Sequence, residues 1–406
     1  VSAPTGRRLL PLVLATTSMG VLAFSILAPV LPDLATELGV SRGRIGIVQG
    51  AVAAPGILLA SYIGYLADKH GTRRVIRVSL IIFGTAGLAC FLVRDFWWLV
   101  VLRLVQGLGT SGLLSLGVVV IGDHFTGLER RWAMGINLAA LTATTTLAPI
   151  AGGFLAEGGA FRPFLIFFLA FPVFIWARKF PGRADLPPSD PPIRHFTAAM
   201  SDLNQRGRLS DFLGMLPMSL LTLAAYLGLG LTVTPLFLER EFSLSVSQRG
   251  PIMAIVSAAS STASVLSGRI GRRFAPTQVL TTAFLLMIGG FTIVGTAPNL
   301  WVLGMGLAVL GSGTGSIFPL LQDYSASAGP AKYRGILVGT WVSANRVGQA
   351  SGPVIGTMAA DGFGERQSYG GGVVVMAIVA LVWMPMRRLA SGRTGGRFST
   401  RSGQNP

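Results

Sequence analysis

Gly64-Tyr65-Leu66-Ala67-Asp68-Lys69-His70-Gly71-Thr72-Arg73-Arg74 is a short charged island between two apolar runs, near 44–66 and 74–93. Each run has about the 20 apolar residues that one helical crossing of a bilayer requires. Within the island Gly64 permits close helix approach and Gly71 a tight turn. Asp68 can face a helix N-terminus or the basic residues beside it. Taken alone, the island is also compatible with an ordinary solvated basic loop.

The same alternation extends in both directions. Further runs lie near 9–32, 98–121, 133–155 and 164–176, then near 212–238, 250–266, 279–296, 301–322, 335–359 and 371–386. Twelve spans are therefore expected, in an all-α membrane protein. The composition agrees, with 51% hydrophobic and only 12% charged residues, where a soluble domain carries about 25% charge. The 53 glycines suit helices that pack closely in lipid. Cys90 is the only cysteine, so no intramolecular disulfide can form, and no Cys/His cluster suggests a metal. Neither a metal nor a cofactor is expected.

A net charge of +17 is compatible with a nucleic-acid binder. The basic residues, however, sit in short clusters between apolar runs, and the bilayer explains them directly. With a cytoplasmic N-terminus, the inside segments carry 24 Lys and Arg against seven outside. The positive-inside rule then places both termini in the cytoplasm. A signal peptide is the rival reading of Arg7-Arg8 and the run that follows. That run is too long and shows no small-residue cleavage site at its end, so the first span is expected to be retained.

A polar, proline-bearing stretch separates the first six spans from the last six. The expected organisation is a six-helix bundle over 1–180, a cytoplasmic linker over 181–210, a second bundle over 211–390 and a basic tail over 391–406. The two bundles match at one ungapped offset of 204 residues. Trp97 aligns with Trp301, Gly107 and Gly109 with Gly311 and Gly313, Arg130 with Arg334, Pro149 with Pro353 and Gly152 with Gly356. Two pseudo-symmetric six-helix units in the same orientation form a transporter architecture, with the binding site between them.

The island resembles the loop between spans two and three of the major facilitator superfamily, G-x-L-x-D-[RK]-x-G-x-[RK]-[RK]. It fits at Gly64, Leu66, Asp68, Lys69, Gly71, Arg73 and Arg74, with Thr72 where a basic residue is common. The resemblance implies a latch between the halves in the outward-facing state. In the second-half copy Arg272 aligns with Asp68, so latching is expected to be one-sided.

Arg103-Leu-Val-Gln106-Gly107-Leu-Gly109 is similar to the family's R-x-x-Q-G-x-G signature in span four, which implies a part for Arg103 in proton coupling. Snorkelling to the interface is the alternative. Span five is similar to the G-x8-G-x3-G-P-x2-G-G pattern of the antiporter branches, drug/proton exchangers among them. Gly135, Pro149, Gly152 and Gly153 fit it, while Thr144 and Ala148 depart from it. Span eleven carries Gly348, Gly352, Pro353 and Gly356. Small residues beside proline let helices kink and pack closely, with or without an antiport role.

All 16 acidic residues lie in loops or at span ends. Asp33, at the far end of span one, is the candidate proton acceptor, expected to pair with Arg103. Arg346 lies near the middle of span eleven. It has two readings, contact with an anionic or electronegative substrate, or structural bonding to carbonyls or Gln349. Gln49, Arg103, Gln106, Asn137, Tyr226 and Asn345 complete the candidate cavity set, as polar groups within spans.

These features predict a monomeric secondary transporter in a bacterial inner membrane, partnered by a small-molecule substrate and protons and exporting by alternating access. A uniporter or symporter of a small metabolite or organic anion is the alternative, and a sensor that kept the fold is a third. An enzyme is not expected, because no metal-ligand set or catalytic carboxylate pair is present. No Walker A pattern points to ATP.

Overall fold

The computed structural model describes residues 5–180, 192–271, 273–330 and 333–393. Most of the expected basic tail and the first part of the linker therefore lie outside the described residues. Among those described, every regular element is helical, in the order expected of twelve spans.

Proline decides where several spans are interrupted. Span one runs over Thr5–Ser25, passes through a 3-10 turn at Ala28–Val30 and resumes as Leu31–Glu37. Pro29 and Pro32 lack the N–H that an unbroken helix would use there. Span two is likewise split into Arg42–Ala51 and Pro55–His70, with Pro55 at the first helical position, which tolerates it. Spans three to five are Thr72–Leu92, Phe96–His124 and Gly127–Ala156. The short sixth span is a 3-10 stretch, Arg162–Leu169, followed by Ala170–Trp176.

A linker helix, Pro192–Gln205, leads into the second half. Span seven runs from Leu209 to Phe242 through a π-helical stretch, Tyr226–Val233. Spans eight to twelve are Val246–Ile270, Pro276–Thr296, Leu300–Ser327, Arg334–Phe363 and Glu365–Arg393. Among the described residues, eight helices are long and apolar enough to cross a membrane on length and composition alone. The other four spans are the split second, the short sixth, the eleventh with Asn345, Arg346 and Gln349 at mid-length, and the twelfth.

The 204-residue repeat is visible as packing. Asp95 caps span four by accepting from the Trp98 amide, and Asn299 caps span ten by accepting from Val302. A side chain at Gly107 would strike the Val52 carbonyl, and one at Gly311 would strike the Val256 carbonyl. Gly109 lies against Ser79 and Phe83, and Gly313 against Ala283 and Met287. Each partner is displaced by the same offset, so both halves bury the same seams.

The buried apolar side chains fall into two clusters, one per half. They trade members at one end only, where Ala28 joins the second cluster and Leu236 the first. This end, opposite the N-terminus and the linker, is called the far face below, and the other the terminal face. The halves meet there through spans two and eleven and through spans five and eight. Gly46 abuts the Pro353 carbonyl and Gly250 the Pro149 carbonyl, a symmetry-related pair of backbone contacts.

Candidate functional site

The breaks in spans one and two create the demand that places the central polar residues. A helix that stops leaves its last carbonyls unbonded, and water cannot satisfy them inside a bilayer. Arg103 and Gln49 bond three of them. Arg103 Nη2 donates to Ala23 O (2.8 Å), Nε to Val48 O (3.2 Å) and Nη1 to Gln106 Oε1 (2.7 Å). Gln49 Nε2 donates to Phe24 O (2.6 Å). Arg103, Gln106 and Gln49 thus form one cluster joining spans one, two and four. Arg103 is fully buried and does not snorkel.

The expected Asp33–Arg103 pair is not formed. Asp33 stands beyond the break in span one, in the Leu31–Glu37 segment, whereas Arg103 reaches only the carbonyls before it. Asp33 instead faces Arg249 of span eight, with Oδ2 at 2.9 Å from Nη1. Arg249 also donates to Pro29 O at 3.0 Å, so one buried guanidinium ties the second half to the broken end of span one.

That pair belongs to a larger seal on the far face. Arg42 of span two reaches Glu239 (2.7 Å) and Glu365 (3.5 Å) in the second half, and Arg240 also binds Glu365 (3.1 Å). Thr357 donates to the Gly43 carbonyl at 2.8 Å. Sequence reasoning counted Arg42, Arg249, Glu239 and Glu365 only as loop or span-end charges. Their spacing gives no local signal, because their partners lie 125 to 323 residues away in the chain.

The remaining candidates differ in how fully their polar groups are bonded. Asn137 accepts from Thr17 Oγ1 (2.7 Å), which joins spans five and one. Asn345 accepts from Ser219 Oγ (2.6 Å), and Trp341 Nε1 donates to that same Ser219 oxygen at 3.0 Å. Tyr226 is buried facing Ser257 and Ser260 of span eight. Arg346 differs from these. It donates to Gln349 Oε1 (2.7 Å), lies along Gly56 beside Ser111, and sets its guanidinium 5.9 Å from the centre of the Phe24 ring. It therefore projects from the second half towards spans one, two and four of the first.

The loop quoted at the outset turns on Gly71, whose φ of +83° suits glycine. Arg73 donates to the Phe180 carbonyl, at the end of span six, and Lys69 and Arg74 are exposed. The described side chains thus hold the loop to its own half. The packing around Gly64, the Asp68 side chain and all of Arg272 lie outside the described residues. Spans five and eleven run as unbroken helices through Pro149 and Pro353. Gly152 packs on Ile26 of span one, Gly153 on Val246 of span eight, and Gly348, Gly352 and Gly356 pack along span seven. Gly135 packs against nothing.

Comparison with known proteins places this geometry in context. The model of the Major Facilitator Superfamily matches residues 13–335 and 215–403. The multidrug resistance protein MdtG of Salmonella typhi is 24% identical over 385 residues, covering 91% of this chain and 93% of that protein. A bacterial homologue of the human lysosomal transporter Spinster, in an inward-facing and occupied conformation, superposes with a TM-score of 0.78 at 17% identity, covering 96% of this chain and 98% of the other. The human organic anion transporter MFSD10 gives a TM-score of 0.69 at 21% identity, over 94% and 100% of the two chains. At these identities the solved structures establish the fold.

Proposed function

The chain belongs to the major facilitator superfamily, and from that premise we propose that it exports small molecules in exchange for protons. The observation that carries this reading is how the halves meet. They are joined at the far face by ion pairs and glycine-to-carbonyl contacts, with a polar cluster and Arg346 at mid-depth behind that seal. Partly exposed ion pairs are each worth only about 0–1 kcal/mol, so such a seal can open and close at modest cost, as alternating access requires.

The excess of basic residues in the terminal-face segments supports a cytoplasmic position for that face. The arrangement is then closed to the outside and corresponds to an inward-facing state. MdtG, a multidrug resistance protein, supports export as the direction and a bacterial inner membrane as the location. The bundle limits near 180 and 211 remain our reading of the chain, as does a monomeric unit.

Asp33 is the proton acceptor in this reading. Its carboxylate holds Arg249 across the seal, and protonation would remove the charge that makes the pair. A proton from the outer side loosens this pair as substrate leaves; the Arg42 and Arg240 pairs then re-close the far face, and release of that proton to the cytoplasmic side completes the exchange. Arg103, bonded to Ala23, Val48 and Gln106, serves coupling by fixing the helix end before the break that leads to Asp33. The latch loop and the glycine motifs of spans five and eleven are assigned to the conformational change.

The test is accumulation of cationic, neutral and anionic compounds in cells expressing the chain, with and without a protonophore. Lower accumulation that the protonophore abolishes is expected. Asp33→Asn is expected to flatten the pH dependence of efflux; unchanged pH-driven transport in this variant would sink the coupling role.

A further inference from the structure

Among the described residues three arginines lie buried within or between the helices, and they differ in what neutralises them. Each nitrogen of the Arg103 guanidinium is bonded to an oxygen, and Arg249 has the Asp33 carboxylate and the Pro29 carbonyl. Arg346 is 8% exposed, yet among the described residues it has neither a carboxylate nor a backbone carbonyl partner. Its single hydrogen bond is the one to Gln349. The Nε and Nη2 groups make none, and they are not among the solvent-excluded polar atoms, so they face accessible space.

The residue stands twelve positions from the start of span eleven at Arg334 and seventeen from its end at Phe363. At about 1.5 Å per residue, that is mid-depth in the membrane. No acidic residue occupies a span centre, so this charge has no internal counter-ion. An unpaired cation at such depth is costly and marks a functional position. On the far-face side of Arg346, Gly50 and then Gly46 press on the carbonyls of Ala350 and Pro353, so the guanidinium sits at the floor of the closed seam between the halves.

We propose that Arg346 anchors the acidic group of the substrate, and that the transported class is organic monoanions, with a carboxylate, sulfonate or phosphonate on an apolar body. The guanidinium fork matches two oxygens of such a group at once. The Phe24 ring beside it offers a face to the apolar body, and Ser111 Oγ lies within the same recess. A cationic substrate of the same shape meets like charge in a low-dielectric site and is rejected. Binding also removes the isolated charge that opposes occlusion, so the loaded protein closes over Arg346 more readily than the empty one.

This proposal rests on the transporter reading but not on proton coupling, and the experiment separates the two. Purified protein is titrated with 1-naphthalenesulfonate, 1-naphthylmethanol and 1-naphthylmethylammonium, which share one ring system, with affinity and thermal shift as readouts. Their transport is then measured in proteoliposomes with and without a proton gradient. The sulfonate is expected to bind at least about tenfold more tightly than the alcohol, as one charge-assisted contact allows, and the ammonium most weakly. Arg346→Gln is expected to abolish the preference and Arg346→Lys to keep part of it. Should Arg346→Gln fail to fold, the wild-type ranking and Arg346→Lys decide. No binding by any probe, a wild-type preference for the alcohol or ammonium, or an anion preference that survives Arg346→Gln overturns the proposal. Anion-selective binding without gradient-driven transport would uphold the anchor and remove the proton-coupled export reading instead.

Discussion

The two halves share their seams and differ in their charges. Gly107 and Gly311 meet equivalent backbone atoms, as do Gly109 and Gly313, and the Gly46–Pro353 contact is mirrored by Gly250–Pro149. Arg103, by contrast, aligns with Leu307, and Arg346 aligns with Thr142. Close helix packing is thus a requirement that both copies kept, because a carbonyl facing a neighbouring helix leaves no room for a Cβ. Charge was placed once, on one side of the pseudo-two-fold axis each time. The first half spends its arginine on its own broken helices, and the second presents an arginine to the space between the halves.

The sharpest way to break this contrast is to remove the structural arginine. Arg103→Ala leaves the carbonyls of Ala23 and Val48 and the Gln106 amide oxygen without their donor. Each buried acceptor left without a donor costs about 1–3 kcal/mol, so a large drop in the melting temperature of the detergent-purified protein is expected. Arg103→Lys should recover little, since a single ammonium cannot replace the planar fork. Arg346→Gln deletes one bond to Gln349 and should leave the melting temperature of the substrate-free protein near that of the wild type. Equal losses from both arginine deletions would erase the distinction drawn between the halves.

A second experiment tests the part the halves share. Gly46→Val and Gly250→Val each force a side chain into the partner half's backbone at symmetry-related seams. Overpacking costs roughly 1–3 kcal/mol, here charged mainly against the state that is closed at the far face. Both variants should favour opening of that face, read as faster labelling of a cysteine introduced at the buried far-face position Ala28 in a Cys90→Ala background. Matching effects support a two-fold equivalent closure; an effect confined to one variant would show that one seam alone seals the protein.

Much of this was legible in the sequence, for a physical reason. Glycine, proline and tryptophan at one fixed offset record backbone requirements, and those do not depend on what lies elsewhere in the chain. Apolar run length likewise fixed the span count, although span six proved to be half 3-10 helix. The site was less legible. Pro29, Pro32 and Pro55 were in view, but the carbonyls they free, and hence the duty of Arg103 and Gln49, appear only when the spans are assembled. The far-face ion pairs are hidden for a related reason. Arg42 and Glu365 are neighbours only because the start of span two is packed against the corner between spans eleven and twelve, which loop composition does not encode.

The smallest expected effect concerns the glycine motif, where the halves differ in use despite similar wording. Gly348 lies against the Leu220 carbonyl of span seven, whereas Gly135 has open space where a side chain would extend. An unpacked glycine within a helix is a conformational liability, worth about 0.5–1 kcal/mol relative to alanine. Gly135→Ala should therefore raise the melting temperature slightly, while Gly348→Ala lowers it. If Gly135 is a packing residue only in a second conformation, the stabilised variant will also transport more slowly, because alanine then obstructs that state. A stabilised and equally active Gly135→Ala protein would limit the working motif of span five to Pro149, Gly152 and Gly153, the residues already packed at the far face.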